Sequence, residues 1–273
     1  MVRIFVILVA AILSLLTTLS LTINVVWLSI LVYIGFFIAY IIAQGLIYFL
    51  LAFFLGLFIN KKKETIHYDK FYHLCYYLYV KYTLSLFGVK VKKTGLEKIP
   101  NDTNFVIVSN HLSNFDPMIM DQCLYKYNLT FVAKKSLFKI PCFGKFIHKI
   151  GYLCLDRSNL RSEAKTIMKG TKMLEDNECS VAVYPEGTRN FTNETLLPFK
   201  YGCFHLAIKS KRPIVVTTIK GTENIKNHLL TKIHKVDFDV LGVITYEQYK
   251  DLNTHEIGDI IYKMMEDNLI SKD

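Results

Sequence analysis

The first 60 residues of the sequence lack charge almost completely. From Ile4 to Ile59 there is no Asp, Glu, Lys, Arg or His, and Arg3 is the only charged residue before this run. The run is far longer than the core of a secretory signal peptide, which spans roughly 7–15 residues. As one helix it would extend roughly 84 Å, whereas the hydrocarbon layer of a bilayer is about 30 Å thick. The sequence therefore predicts a membrane anchor of two hydrophobic helices over residues 1–60.

Basic residues flank this apolar run on both sides. Arg3 precedes it, and three lysines follow it at 61–63. Because positive charge favours the cytoplasmic side of a membrane, both ends are expected there, which requires an even number of crossings. The turn between the two helices is expected near Asn24 or near Gly35. The following domain is thus predicted on the cytoplasmic side of the cell membrane, and the anchor is either integral or a monotopic hairpin that enters one leaflet.

Acidic residues are too few to balance the basic ones, and the net charge is +10. Apart from Arg3, all charged residues lie after residue 60. A basic domain suits an anionic membrane surface or anionic substrates. Nucleic acid is the usual alternative partner of a basic domain. We expect no nucleic acid here, because most nucleic-acid binders have no intramembrane anchor.

The six cysteines form no C-x-x-C pair, and no cysteine–histidine spacing in the sequence fits a zinc motif. Several of them lie in apolar stretches, where a free cysteine behaves as a small hydrophobic residue. We therefore expect a reduced domain with neither a disulfide framework nor a metal site.

The rest of the chain divides into two segments. Residues 61–95 combine aromatic and basic side chains and are predicted to be a helical linker at the membrane interface, although core packing explains the aromatic residues equally well. In residues 96–273, apolar runs of strand length alternate with helical patterns. This alternation predicts an α/β domain with a mostly parallel sheet flanked by helices. Strands are expected at 104–109, 130–133, 151–155, 180–184, 213–219 and 237–244.

Two helices have recognisable starts. Asp116 and Pro117 are predicted as the N-cap and the first helical position of a helix that runs to about Tyr127. Asn253 and Glu256 have the spacing of a capping box ahead of a C-terminal amphipathic helix.

A histidine and an aspartate follow the strand at 104–109. His111 comes just after that strand, and Asp116 lies five residues further on. A neutral hydroxyl is a poor nucleophile unless a base removes its proton, and a carboxylate can hold that base in the correct tautomer. The strand–loop–helix connection can bring Asp116 to the Nδ1 atom of His111 and leave Nε2 for the substrate. The spacing alone is unspecific, but α/β sheets place their sites at this end of their strands.

A second polar cluster follows the strand at 180–184. Gly187 permits a tight turn, and Arg189 can bind a phosphate group bidentately with help from Thr188 and backbone N–H groups. A salt bridge between Glu186 and Arg189 that stabilises the loop is the structural alternative.

Four ordered motifs resemble the glycerolipid acyltransferase family, and within it the 1-acylglycerol-3-phosphate acyltransferases. They are the H-x4-D motif from His111 to Asp116; the segment Phe131–Leu137 with Pro141, Gly144, Gly151, Asp156 and Arg157; Tyr184–Arg189 continued by Pro198–Gly202; and Pro213–Thr217. H-x4-D alone is unspecific, but the ordered set is highly specific. It spans a little under half of the chain.

The resemblance implies transfer of a fatty acyl group from acyl-CoA or acyl carrier protein to the sn-2 hydroxyl of 1-acylglycerol 3-phosphate, without a cofactor. It implies that His111 is the general base and that Asp116 orients it. The residues implied in substrate binding are Glu186, Gly187, Thr188 and Arg189 for the glycerophosphate, with Lys134, Lys135 and Arg157 as further contacts.

The sequence departs from the family pattern at three positions. Tyr184 stands where phenylalanine is more usual, Asn190 replaces a frequent serine, and Val216 stands where a second proline is common. The alternatives are an acyltransferase for another lysophospholipid or for glycerol 3-phosphate, and an inactive membrane-binding protein. A serine hydrolase built on Ser109 or Ser113 is disfavoured, because no G-x-S-x-G turn is present.

Overall fold

The computed structural model describes residues 2–21, 23, 25–60, 69–141, 143–156, 160–229 and 231–271. Its helices are α1 Val2–Ser20, α2 Val26–Leu57, α3 Lys70–Leu86, α4 Asp116–Cys123, α5 Phe143–Lys149, α6 Leu160–Glu175, α7 His205–Ser210, α8 Tyr246–Tyr249 and α9 Thr254–Ile270. Its strands are β1 Val89–Thr94, β2 Val106–Ser109, β3 Leu129–Lys134, β4 Leu153–Leu155, β5 Ser180–Val183, β6 Ile214–Lys220 and β7 His234–Ile244.

The apolar N-terminal segment forms α1 and α2, which pack against each other. The break between them falls between Ser20 and Val26, whereas Gly35 lies inside α2. Of the two predicted turn positions, Gly35 is therefore wrong, and Asn24 lies outside the described residues. With 32 residues, α2 is roughly 48 Å long. Within the described ranges it is the one helix that is both long and apolar enough to cross a membrane, and its side chains are not buried by the rest of the protein. Its C-terminal end contacts the globular part, because Lys145 Nζ donates to the Gly56 carbonyl (3.0 Å).

Helix α3 begins at an aspartate cap, since the Asp69 carboxylate accepts from the Tyr72 backbone N–H. One face of the helix, including Tyr76 and Val80, is buried against the sheet, and the opposite face exposes Phe71, Leu74 and Leu78. Packing against the core therefore explains the aromatic and apolar residues on only one face of α3. Residues 61–68 of the predicted linker lie outside the described residues.

Strand β1 was not predicted from the sequence. The proposed helical linker extended to residue 95, but Val89–Thr94 pairs with β7 at the edge of the sheet. Its alternation of valine and lysine is a strand pattern, and charged lysines are typical of edge strands because they oppose further pairing.

The seven strands form one sheet in the order β1-β7-β6-β2-β5-β3-β4. Strands β6, β2, β5, β3 and β4 run parallel to one another, whereas β7 is antiparallel to β6, and β1 is parallel to β7. The predicted mostly parallel α/β sheet is confirmed. In the centre, β2 and β5 are direct neighbours, with Val108 opposite Val183, so their carboxyl ends meet at the same edge.

Helices cover both faces of this sheet. Side chains alternate across each strand, so Ile107 faces the core under α3 and α4, while Val106 and Val108 face the core under α6, α7 and α9. Burial on both faces explains why the central strands are continuously apolar.

Two helix starts can be compared with their predictions. The capping box of Asn253 and Glu256 is confirmed at the start of α9. The N-cap assignment of Asp116 is wrong, because Asp116 is the first residue of α4 and Phe115 is the cap. The Asp116 carboxylate instead accepts from backbone N–H groups of the preceding loop. Helix α4 also ends at Cys123 rather than Tyr127, since the chain continues as a separate 3₁₀ turn at Tyr125–Tyr127. Asn128 (φ 48°) ends that turn before β3.

Candidate active site

His111 and Asp116 are in direct contact at the carboxyl end of β2. The His111 Nδ1 atom lies 2.8 Å from Asp116 Oδ2. The aspartate is fully buried, whereas the histidine side chain is 18% exposed. The Leu112 and Ser113 backbone N–H groups also donate to Oδ2, at 2.6 and 2.7 Å. A carboxylate that accepts at Nδ1 places the ring proton there, so Nε2 keeps its lone pair for a substrate proton.

The other carboxylate oxygen of Asp116 is also occupied. The Thr222 hydroxyl donates to Oδ1 at 2.5 Å, within the buried interior. Thr222 follows β6, and Gly221 turns the chain there with φ +92°. A Cβ atom at Gly221 would come within 2.4 Å of the Lys235 carbonyl oxygen, so this turn requires glycine.

Asn110 fixes the loop that carries His111. Its side-chain amide donates to the Ile219 carbonyl (2.9 Å) and accepts from the Ile219 N–H (2.8 Å). Both bonds continue the pairing between β2 and β6 beyond the end of β2. Asn110, which precedes His111, is therefore bound to β6 by a pair of hydrogen bonds, as a residue within a strand would be.

The loop that follows β5 encloses His111. Glu186 accepts from the His111 backbone N–H with Oε1 (2.7 Å), and the Asn190 N–H donates to the His111 carbonyl (2.7 Å). The Tyr184 ring stacks on the imidazole, with ring centroids 4.2 Å apart. The backbone of His111 is thus bound on both sides and one face of its ring is covered.

The Glu186 carboxylate joins three segments of the chain. Besides His111, it accepts from the Leu197 N–H with Oε2 (3.0 Å). Burial raises the pKa of this carboxyl group, against the lowering effect of the two backbone N–H groups. The structural alternative for this cluster, a salt bridge to Arg189, is absent among the described residues, because the Arg189 guanidinium lies over the Phe191 ring, 4.8 Å from its centroid.

Gly187 makes the turn predicted for it. Its φ is +68°, in the left-handed region, and its N–H donates to the Tyr184 carbonyl (2.9 Å). Thr188 is exposed and Arg189 is half-buried, so both remain accessible at this end of the sheet.

The predicted lysine contacts lie at the end of β3. Lys134 is the last residue of that strand, and Lys135 follows it. Since β3 is parallel to β5, both are at the same end of the sheet as His111. Lys135 Nζ lies 2.6 Å from Asp156 Oδ2, so this lysine already has a carboxylate partner. Arg157 lies outside the described residues.

Sequence reasoning missed two contacts of the His111–Asp116 pair. Thr222 lies beyond the last matched motif, and only the position of β6 beside β2 could have indicated it. The stacking of Tyr184 on His111 was not predicted either, because Tyr184 was noted only as a departure from the family pattern. In the described part of the chain, no group of three or more His, Cys, Asp or Glu residues is arranged to hold a metal ion.

Comparisons with known proteins agree with this geometry. A model of the acyltransferase family matches residues 90–220. The 1-acyl-sn-glycerol-3-phosphate acyltransferase of Borreliella burgdorferi is 33% identical over 198 residues, covering 68% of this chain and 76% of that protein. The protein of the same name from Escherichia coli is 31% identical over 190 residues, covering 69% of this chain and 76% of its own length.

A solved structure shows the same fold. The crystal structure of the 1-acyl-sn-glycerophosphate (LPA) acyltransferase from Thermotoga maritima superposes with a TM-score of 0.59 at 19% identity, covering 82% of this chain and 88% of that one. The matched region contains the His111–Asp116 pair and the loop that encloses it. This chain therefore belongs to the glycerolipid acyltransferase family, with the 1-acyl-sn-glycerol-3-phosphate acyltransferases as its relatives.

Proposed function

We propose that this acyltransferase moves a fatty acyl group from acyl-CoA or acyl carrier protein to the sn-2 hydroxyl of 1-acylglycerol 3-phosphate, which gives phosphatidic acid for phospholipid synthesis. The observation that carries the proposal is the bond between Nδ1 of the partly exposed His111 and buried Asp116, which leaves the Nε2 lone pair available to a substrate. The names of the relatives support the choice of acceptor.

In this mechanism His111 is the general base. Its Nε2 atom takes the proton of the sn-2 hydroxyl while the hydroxyl oxygen attacks the thioester carbonyl carbon. Asp116 stabilises the imidazolium that forms. The tetrahedral intermediate, with its oxyanion stabilised by backbone N–H groups, then breaks its C–S bond, and the thiolate takes the proton from Nε2. The acyl group passes directly between substrates, and the step is proposed to need no metal and no cofactor because a thioester is already activated.

The acceptor phosphate is assigned to the loop after β5. Arg189 can form two parallel hydrogen bonds to phosphate oxygens, and Thr188 and Gly187 lie beside it in the same turn. Lys134 and Lys135 remain proposed as further contacts. Glu186 stays in the proposed substrate site, although both of its carboxylate oxygens already accept backbone N–H groups.

The acceptor is proposed to reach this site from a membrane. Helix α2 exposes large apolar side chains over its length, including Trp27 near its start and Phe54 near its end. Such a surface is stable only against lipid or another protein. We assign α1 and α2 to an integral or monotopic anchor and the catalytic domain to the cytoplasmic side.

The decisive experiment is acyl transfer by purified, detergent-solubilised protein with a panel of lysolipids, glycerol 3-phosphate and both thioester donors. His111→Ala should lower turnover of 1-acylglycerol 3-phosphate by about 10²- to 10⁴-fold. The control His205→Ala, which removes an exposed histidine at the start of α7, should not. Normal turnover by the His111 variant would refute the mechanism. Wild-type activity confined to glycerol 3-phosphate or to an uncharged or choline-bearing lysolipid would refute the acceptor assignment.

Arg189→Ala separates acceptor binding from donor binding. Loss of a charged hydrogen-bonding partner should raise the acceptor KM by about tenfold or more while the thioester KM changes little. An unchanged acceptor KM would show that Arg189 does not bind the phosphate.

A further inference from the structure

Lys200 lies across the loop that encloses His111. Its backbone N–H donates to the Pro185 carbonyl (2.8 Å), which holds residue 200 beside the end of β5. Its side chain then passes directly over Gly187. A Cβ atom built on Gly187 would lie 2.9 Å from Lys200 Cδ, 3.2 Å from Cε and 3.3 Å from Nζ. The ammonium group is therefore within a few ångströms of the turn that leads to Arg189.

Two features of this turn suit a glycine at position 187. Its positive φ of +68° favours glycine, and the absence of a side chain leaves the space through which Lys200 runs. The turn thus presents its bare backbone to an ammonium group. Arg189 follows the same turn, so one short loop carries the Arg189 side chain and is crossed by the Lys200 side chain.

No carboxylate neutralises these cations among the residues that the structure describes. The adjacent acid, Glu186, points the other way, since its two oxygens accept from the backbone N–H groups of His111 and Leu197. Lys135 provides the contrast, because Asp156 pairs with it directly. Lys200 is exposed, so its ammonium group is accessible to a ligand at the surface of this loop.

We propose that Lys200 is a second phosphate-binding cation of the acceptor site, acting beside Arg189; this inference rests on the proposed function. The guanidinium of Arg189 supplies directional, bidentate bonds, and the Lys200 ammonium supplies a compact charge that follows the phosphate as the sn-2 hydroxyl approaches His111. Lys200 is a binding residue in this account and takes no part in proton transfer.

The test compares Lys200→Met, Lys200→Arg and Lys209→Met. The last variant removes the same charge from an exposed position on α7 and serves as the matched control. Lys200→Met should raise the KM for 1-acylglycerol 3-phosphate by about tenfold or more, with kcat and the thioester KM nearly unchanged. Lys200→Arg should recover most of the loss, and Lys209→Met should match the wild type. An unchanged acceptor KM in Lys200→Met, or an increase confined to the thioester KM, would overturn the proposal.

A binding measurement separates this inference from the proposed function. Thermal unfolding is followed in detergent micelles that contain either 1-acylglycerol 3-phosphate or 1-monoacylglycerol with the same chain. The phosphate-bearing lipid should stabilise the wild type more than the phosphate-free lipid does, and Lys200→Met should lose that difference. If the wild type shows the difference but does not acylate the lipid, the proposed function fails and the role of Lys200 stands. If Lys200→Met keeps the full difference, or the wild type shows none, the role of Lys200 fails.

Discussion

The Thr222 hydroxyl donates to the one carboxylate oxygen of Asp116 that His111 does not use. Asp116 is fully buried, so each of its oxygens needs a partner to offset the loss of water. With both oxygens satisfied, the carboxylate is fixed in position and can in turn fix the imidazole. Thr222 is therefore a positioning residue that acts through Asp116.

Replacing Thr222 with valine should lower kcat. The change preserves the shape of the side chain but leaves Oδ1 buried without a donor, which costs about 1–3 kcal/mol. If half of that cost appears in the activation barrier, kcat should fall by about two- to tenfold. The KM values should change little, because Thr222 touches neither substrate in the proposed mechanism. Steady-state kinetics and the pH profile of kcat measure the effect. Thr222→Ser, which keeps the hydroxyl, is the control, and equal kcat values in the two variants would contradict the assignment.

Glu186→Gln should destabilise the site. Both carboxylate oxygens accept backbone N–H groups, and the glutamine amide has only one acceptor oxygen, so its NH₂ group would face an N–H donor. We expect a loss of about 1–3 kcal/mol in the free energy of unfolding together with a lower kcat. Thermal unfolding and kinetics test this. Glu194→Gln removes the same charge from an exposed position and should do neither. A fully stable Glu186→Gln protein with a higher acceptor KM would instead favour direct substrate contact.

Two substitutions at Tyr184 can separate the effect of its aromatic ring from the effect of its hydroxyl group. The ring stacks on His111, but the hydroxyl is buried and has no hydrogen-bond partner among the described residues. Tyr184→Phe should keep most of the activity and raise the unfolding temperature, because a buried unpaired hydroxyl destabilises the folded state. Tyr184→Leu should lower kcat by about two- to tenfold, since the stacking is lost. A larger loss of kcat in the phenylalanine variant than in the leucine variant would mean that the hydroxyl contacts substrate.

Asp121 is expected to make stability depend on pH. It lies buried on α4, bonded to His73 of α3 at 2.7 Å, and burial raises the pKa of its carboxyl group despite the lowering effect of His73. A raised pKa in the folded state means that the contribution of this group is fully present below the unfolded-state pKa, about 3.9, and declines as pH rises through the folded-state pKa. Asparagine carries no charge and shows no such decline.

The unfolding temperature of Asp121→Asn relative to the wild type should therefore increase as pH is raised from about 4 to neutrality. Asp102→Asn, at an exposed position, should show no such trend. A temperature difference that is independent of pH would show that the Asp121 carboxyl does not titrate differently in the folded protein.

The sequence predicted those parts of the fold that depend on local patterns. The apolar runs of the central strands and the capping box of Asn253 and Glu256 were sufficient to locate these elements. Strand β1 was missed because an edge strand needs no continuous apolar run, and Val89–Thr94 is rich in lysine. Its pairing with β7 depends on a segment more than a hundred residues away, which no local pattern encodes.

The candidate site likewise combines contacts that follow from local sequence with contacts that depend on the whole sheet. The contact between His111 and Asp116 spans five positions and follows from a short loop, so motif spacing could predict it. The bonds from Asn110 to Ile219 and from Thr222 to Asp116 join residues more than a hundred positions apart. They arise because β6 lies beside β2, and that neighbour relation is a property of the whole sheet. The path of the Lys200 side chain over Gly187 likewise depends on the three-dimensional shape of the loop, so the sequence alone could not predict it.

The hydrogen bonds of Asp116 and Glu186 also determine the stage of folding at which the site can form. Its bonds close chain loops of 75 and 106 positions, so they can form only after distant strands have paired. Contacts of this kind form slowly and contribute late, because loop-closure entropy opposes them. A partly synthesised or partly unfolded chain that lacks β6 would carry His111 without an oriented partner. His111, the proposed general base, would therefore be held in its working geometry only in the completed fold.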